Sequence, residues 1–198
     1  KENKKSVMLE KKISSDDEVI RRYRKVGVVV FVVADDGKIL LLKENGSNPD
    51  TAKGQGEYGV LCETSRLHEV WTDTVMRGFS EELGLGEVKA REALAIDLNT
   101  SYLGETSFVE GVLARVLAVG WRRGKQEALQ LEGDGEISVV GWESIDGLGR
   151  YNLRRGVRNV LNDCLENGLL ETVHRLTMST LIPLSIGSLG MIDSQWRI

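Results

Sequence analysis

Cysteine, histidine and proline are scarce in this chain, with two of each among 198 residues. Cys62 and Cys164 stand far apart and in no C-x-x-C spacing, which argues against a cysteine-rich zinc site or a disulfide framework. They read as free thiols of a reducing, cytoplasmic compartment, with a mutual disulfide as the alternative. His68 and His174 have no Ser or Cys partner at a telling spacing, so neither a nucleophilic triad nor a zinc site is expected. Long apolar runs are missing too. No stretch approaches a membrane span, and KENKKSVMLEKK at the N-terminus lacks the apolar segment of a signal peptide, so no membrane partner is expected. Nor is there an excess of positive charge. A net charge of −4 and a pI near 5.4 leave no global field to gather a polyanion, which speaks against nucleic acid as a partner. A phosphorylated small molecule would need a divalent cation to bring it to an acidic surface.

What is present suits a globular fold: 41% hydrophobic and 28% charged residues, without repeats or low-complexity tracts. Residues 1–24 read as an N-terminal extension with a short helix, begun by Ser14 or Ser15 and the acids Asp16, Asp17 and Glu18. Residues 25–170 form the domain. Within it VGVVVFVVADDGKILLLKE holds two apolar runs split by Asp-Gly, the mark of a hairpin of antiparallel strands. A Gly- and Asn-rich loop spans 44–57, a short strand 58–61, and further strands are expected at Ser107–Val116, ARVLAVGW and EISVVGW.

Leu67, Val70, Trp71, Val75, Phe79 and Leu83 recur at helical spacing and Gly84 stops them; Leu153, Val157, Val160, Leu161, Cys164 and Leu165 do the same before Asn167 and Gly168. The fold class expected is α/β, a mixed β-sheet sandwiched between helices. Residues 171–198 are apolar but broken by Pro183, Gly187 and Gly190. They cover an edge of the domain or reach a neighbouring subunit, which leaves a homodimer open.

The chemistry concentrates in HEVWTDTVMRGFSEELGL, residues 68–85. Positions 78, 81 and 82 share one helical face, where three carboxylates would offer the hard oxygens that Mg²⁺ or Mn²⁺ prefer. Only Glu81 and Glu82 supply them, because position 78 is Gly. The stretch resembles a Nudix box, Gx5Ex7REUxEExGU with U a bulky apolar residue. Glu69 stands at the first Glu, Arg77 at the Arg, Phe79 at the first U, Glu81 and Glu82 at the pair, Gly84 at the last Gly and Leu85 at the final U. Two positions depart: the opening Gly is Glu63 and the Glu after the Arg is Gly78. With two mismatches allowed, a chance match is on the order of one in a thousand from ordinary residue frequencies, so the register carries weight.

The resemblance covers roughly residues 25–168 and implies Mg²⁺- or Mn²⁺-assisted cleavage of the pyrophosphate linkage in a nucleoside diphosphate derivative. Glu81 and Glu82 would be metal ligands and catalytic acids, and Glu136, six residues before Trp142, a further catalytic acid or a plain strand-end residue. Arg77 would pair with Glu69, these two and Gly84 being structural. Glu63 is expected to send its carboxylate toward the space left at Gly78 and so serve as a third ligand. Lys43, Lys53 and Tyr58 are expected at the substrate. The basic run Arg150, Arg154, Arg155 and Arg158 reads as a solvated face, and Trp71 and Trp142 as core. The alternative is a catalytically impaired domain that binds a nucleotide or a protein, which Gly78 favours.

Overall fold

β1 (Lys25–Val33), KVGVVVFVV, is valine at six of nine positions and mostly buried, as a strand covered on both faces must be. The computed structural model describes residues 23–34, 36–86, 100–121 and 135–167. The expected N-terminal helix, the stop at Gly168 and the extension 171–198 lie outside them.

One edge of β1 runs parallel to β6 (Val112–Gly120), from Lys25↔Val112 to Val33↔Gly120. The other edge is divided. Val33 pairs with Ile39 of β2 (Ile39–Glu44), closing the expected hairpin through Gly37, whose φ of 80° suits glycine. Further back, Gly27–Val30 pair antiparallel with β4 (Leu61–Thr64). β2 meanwhile takes β7 (Ile137–Glu143) and, at Leu42 and Lys43, β3 (Tyr58–Gly59). The sheet therefore forks where β1 leaves β2, and β5 (Thr100–Val109) forms the far edge beside β6.

Three element boundaries differ from expectation. Ser107–Val116 is not one strand, because Glu110 and Gly111 (φ 72°) turn the chain between β5 and β6. The strand expected at 58–61 is two, β3 and β4, separated by Val60. The box helix α1 (Trp71–Leu83) starts four residues after Leu67. Ahead of it the Glu69 carboxylate accepts the Arg66 N–H at 2.8 Å, closing a turn that puts His68 at φ 66° and leaves Leu67 62% and Val70 47% exposed. The second helix, α2 (Arg155–Glu166), likewise starts after Leu153, which bridges to Tyr58 instead.

Strand alternation assigns the two layers. Val28, Val30, Val32, Leu40, Leu42 and Leu61 face α1, where they bury Val75, Phe79 and Leu83. Their neighbours Val29, Phe31, Val33, Ile39 and Leu41 face α2 and bury Val157, Val160, Leu161 and Cys164. The architecture is thus a mixed sheet between helices. Burial of a side chain such as Phe79, wholly shielded from solvent, stabilises the packing of α1 by roughly 2–3 kcal/mol.

Candidate active site

Arg77 ties the parts of the box together. Its Nε and Nη2 donate to the two oxygens of Glu69, each at 2.9 Å, and Nη2 also donates to the Thr64 carbonyl at 2.6 Å. Nη1 reaches Glu63 Oε1 at 2.9 Å and Glu81 Oε2 at 3.2 Å. One guanidinium on α1 thereby holds the end of β4, the turn before the helix and the next helical turn. The Arg77 hydrogen bond outweighs burial and, with help from the Arg66 N–H and the Thr74 hydroxyl, holds the Glu69 carboxyl down at about 2. Arg77 in turn is held above its ordinary value, first by Glu69 and then, against desolvation, by Glu63.

Glu63 lies two residues beyond Leu61 on β4, so alternation turns it toward α1 at Gly78. A Cβ placed on Gly78 would meet Glu63 Cβ at 3.2 Å and its Cγ at 3.6 Å. The Glu63 stem occupies the room that a side chain at 78 would need. Its Oε1 accepts from the Thr64 N–H at 2.8 Å as well as facing Arg77, while its second oxygen accepts no hydrogen bond among the described residues.

Glu82 is the contrast. It makes no hydrogen bond or ion pair among the described residues. Part of its surface opens to the cleft, yet protein atoms crowd the carboxyl enough that desolvation pushes it well above the ordinary carboxylate range, with repulsion from Glu63 and Glu44 that the charges of Lys53 and Arg154 only partly offset. Glu81, which precedes it, has both oxygens engaged, Oε1 with Arg66 at 3.3 Å and Oε2 with Arg77.

Lys53 and Glu136, both expected at the site, join a network centred on Glu44 and Arg154, two buried residues that the sequence pattern did not place there. Glu44 ends β2 and receives Arg154 Nη1 at 3.0 Å, and Arg154 Nη2 donates to the Thr51 carbonyl at 2.9 Å. Lys53 Nζ sits 2.9 Å from Glu44 Oε2, off the direction of a good hydrogen bond, and 3.4 Å from Glu136 Oε2. Burial pulls the Lys53 ammonium down, but the two carboxylates prevail and hold it above its ordinary value. Arg154, expected on a solvated face, is instead buried, and its guanidinium lies 5.0 Å from the Phe108 ring centre.

Most of these residues, though not Glu44 or Glu69, line one cleft of about 400 Å³. Lys53, Glu63, Arg77, Glu81, Glu82, Glu136 and Arg154 all border it. Lys43 and Tyr58, expected at the substrate, do not. Lys43 follows Leu42 and precedes Glu44, so alternation sends it to the opposite face, 5.8 Å from the Tyr58 ring centre, and Tyr58 packs on Tyr151 with ring centres 4.9 Å apart. Cys62 also borders the cleft, but burial pushes its thiol up to about 12, so it is neutral near pH 7 and no nucleophile. Gly84 ends α1 in the left-handed region at φ 65°, its N–H donating to the Phe79 carbonyl.

No group of three or more His, Cys, Asp or Glu side chains converges to hold a metal among the described residues. The donor set that does remain is Glu82, unpartnered and desolvated, with the second oxygen of Glu63 on the same cleft. It fits a divalent ion of the Mg²⁺ kind, which takes one or two carboxylates and completes its shell with water and phosphate oxygens. It does not fit an ion caged by protein oxygens alone.

No family model and no curated protein matches the chain. Solved structures do. DR0079 from Deinococcus radiodurans aligns with 72% of this chain and 85% of its own at a TM-score of 0.54 and 13% identity. A MutT NUDIX hydrolase from Burkholderia pseudomallei aligns with 70% and 95% at 0.50 and 21% identity. A bifunctional NMN adenylyltransferase/ADP ribose pyrophosphatase from Francisella tularensis, solved with AMP and a Mn ion, aligns with 72% of this chain and 41% of its own at 0.51 and 14% identity. With the box in register on α1 and the mixed sheet between two helices, the chain has a Nudix-like fold.

Proposed function

We propose that this protein is a pyrophosphohydrolase that cleaves the pyrophosphate linkage of a nucleoside diphosphate derivative with the help of one Mg²⁺ or Mn²⁺. The observation that carries the reading is Glu82, a desolvated carboxylate without a donor, on a helix that Arg77 and Glu69 hold rigidly to the cleft wall. When bound, the cation supplies positive charge against the bridging and leaving oxygens. Glu82 and Glu63 are the residues to hold it. Lys53 and Arg66, which both line the cleft, are placed to take phosphate oxygens, Arg66 being 65% exposed and Lys53 poised between two acids. Glu136, 77% exposed on the same cleft and 3.4 Å from Lys53, is the candidate base for the attacking water. Water adds to one phosphorus, the bridging P–O bond breaks, and the products are a nucleoside monophosphate and a second phosphate ester.

A second reading is a module that binds a nucleotide without cleaving it. It is favoured by the counter-ions built into the cleft, where Arg66 and Arg77 engage Glu81 and Lys53 engages Glu136. One experiment separates the two. Nucleotide sugars, dinucleotides and nucleoside triphosphates are incubated with the protein and Mg²⁺ or Mn²⁺, and release of nucleoside monophosphate or phosphate is followed. Turnover by the wild type, lost in Glu82→Gln, supports the hydrolase. Absence of turnover together with nucleotide-dependent thermal stabilisation supports the module.

A further inference from the structure

Position 78 carries no acid, and the neighbouring strand brings one to the same place. Glu63 enters over Gly78 so closely that a Cβ at 78 would lie 3.2 Å from its own Cβ, with Leu61 Cδ1 closing the other side at 3.6 Å. A side chain at 78 would press on the Glu63 stem, which would have to give by a few tenths of an ångström. Arg77 and the Thr64 N–H fix Glu63 Oε1 and leave the other oxygen without a hydrogen bond, while Glu81 is drawn off to Arg66 and Arg77. Of the helical face at 78, 81 and 82, only Glu82 keeps a carboxylate without a hydrogen-bond or ion-pair partner among the described residues.

We propose that the acid missing from the helix has been relocated to the strand, so that Glu63 from β4 and Glu82 from α1 form the two-carboxylate seat of the divalent cation. This rests on the cation-dependent reading above. The competing explanation is steric: Gly78 only lets strand and helix approach, and the Glu63 charge is incidental. Substitutions that keep shape and remove charge distinguish them.

Mn²⁺ binding to the full chain, read by electron paramagnetic resonance, is compared in wild type, Glu63→Gln, Glu82→Gln, Gly78→Glu and the exchange Glu63→Gly/Gly78→Glu, with melting in the absence of metal as the control for folding. Glu63→Gln is expected to weaken Mn²⁺ by at least about tenfold, a loss larger than the modest fall in metal-free melting that follows from removing the charge opposite Arg77. The exchange, which returns the acid to the helix, is expected to recover wild-type affinity to within about threefold. Gly78→Glu alone presses its side chain on the Glu63 stem and melts lower than the exchange. Wild-type affinity in Glu63→Gln overturns the relocation, and if Glu82→Gln then loses the ion, the hydrolase reading survives without it. A wild type that binds no Mn²⁺ overturns both.

Discussion

Arg77 and Glu82 lie little more than a turn apart on one helix and meet opposite electrostatic surroundings. Arg77 reaches three carboxylates and a carbonyl, all between 2.6 and 3.2 Å. Glu82 reaches no donor, and burial works against its charge. A saturated ion cluster is what a fold needs to keep charge out of water without a large penalty, and its cost appears when a partner is removed. A desolvated carboxylate with nothing to receive is a cost that packing does not explain. The first is architecture. The second points to a group that arrives from outside.

The comparison is sharpest where activity and stability are read together. Glu82→Gln should lower turnover by at least about a hundredfold, the scale of losing a group that stabilises developing charge. Its melting temperature without metal should be no lower than that of the wild type, because the change removes a charge rather than a partner. Arg77→Ala should do the reverse in urea unfolding, costing about 3–5 kcal/mol by leaving Glu69 and Glu63 as uncompensated, largely buried acids. If the two variants destabilise alike, the division between architecture and chemistry on α1 fails.

Much of this was legible in the sequence for simple physical reasons. Periods of two and 3.6 place the layers, and the spacing of Glu69, Arg77, Glu81, Glu82 and Gly84 places the box. Glu44, which no motif singles out, is legible too when alternation is carried to the strand end. Glu44 shares a face with Leu40 and Leu42 and so lies on the α1 side, as Glu63, expected over Gly78, does by sharing a face with Leu61, while Lys43 must face away. Arg154 is different. Its helical spacing suggests an exposed face, but it precedes the first residue of α2 and turns inward to Glu44, 110 positions away in the chain. That pairing depends on how the β2–β3 loop folds back against α2, which no local pattern encodes. The helix start was misplaced for a similar reason, since Glu69 bonds to Arg66 and Arg77 and thereby closes a turn that apolar spacing alone does not register.

Acid should expose the Arg77 cluster next. Glu69 titrates near 2 in the folded protein against an ordinary value of 4.5, so its contribution is present in full above 4.5 and is lost as pH falls toward 2. Melting of the wild type should therefore drop across that window more steeply than melting of Glu69→Gln, which has lower stability at neutral pH but lacks this titration. Parallel curves would mean that Glu69 is not held by Arg77 in solution.

The smallest effect should come from the end of the helix that carries both residues. Gly84 takes φ 65° and donates its N–H to the Phe79 carbonyl, turning the chain so that Leu85 is buried at 2% exposure against the α1 face of the core. Alanine keeps the hydrogen bond but must enter the left-handed region with a Cβ, at a cost of about 1 kcal/mol. Gly84→Ala should lower the unfolding free energy measured in urea by that amount and leave Mn²⁺ affinity as it is, because Arg77 and Phe79 still fix the helix upstream of Glu82. A loss of affinity larger than the loss of stability would show instead that the cap positions Glu82, and that the architectural and chemical parts of α1 are not separable at its C-terminal turn.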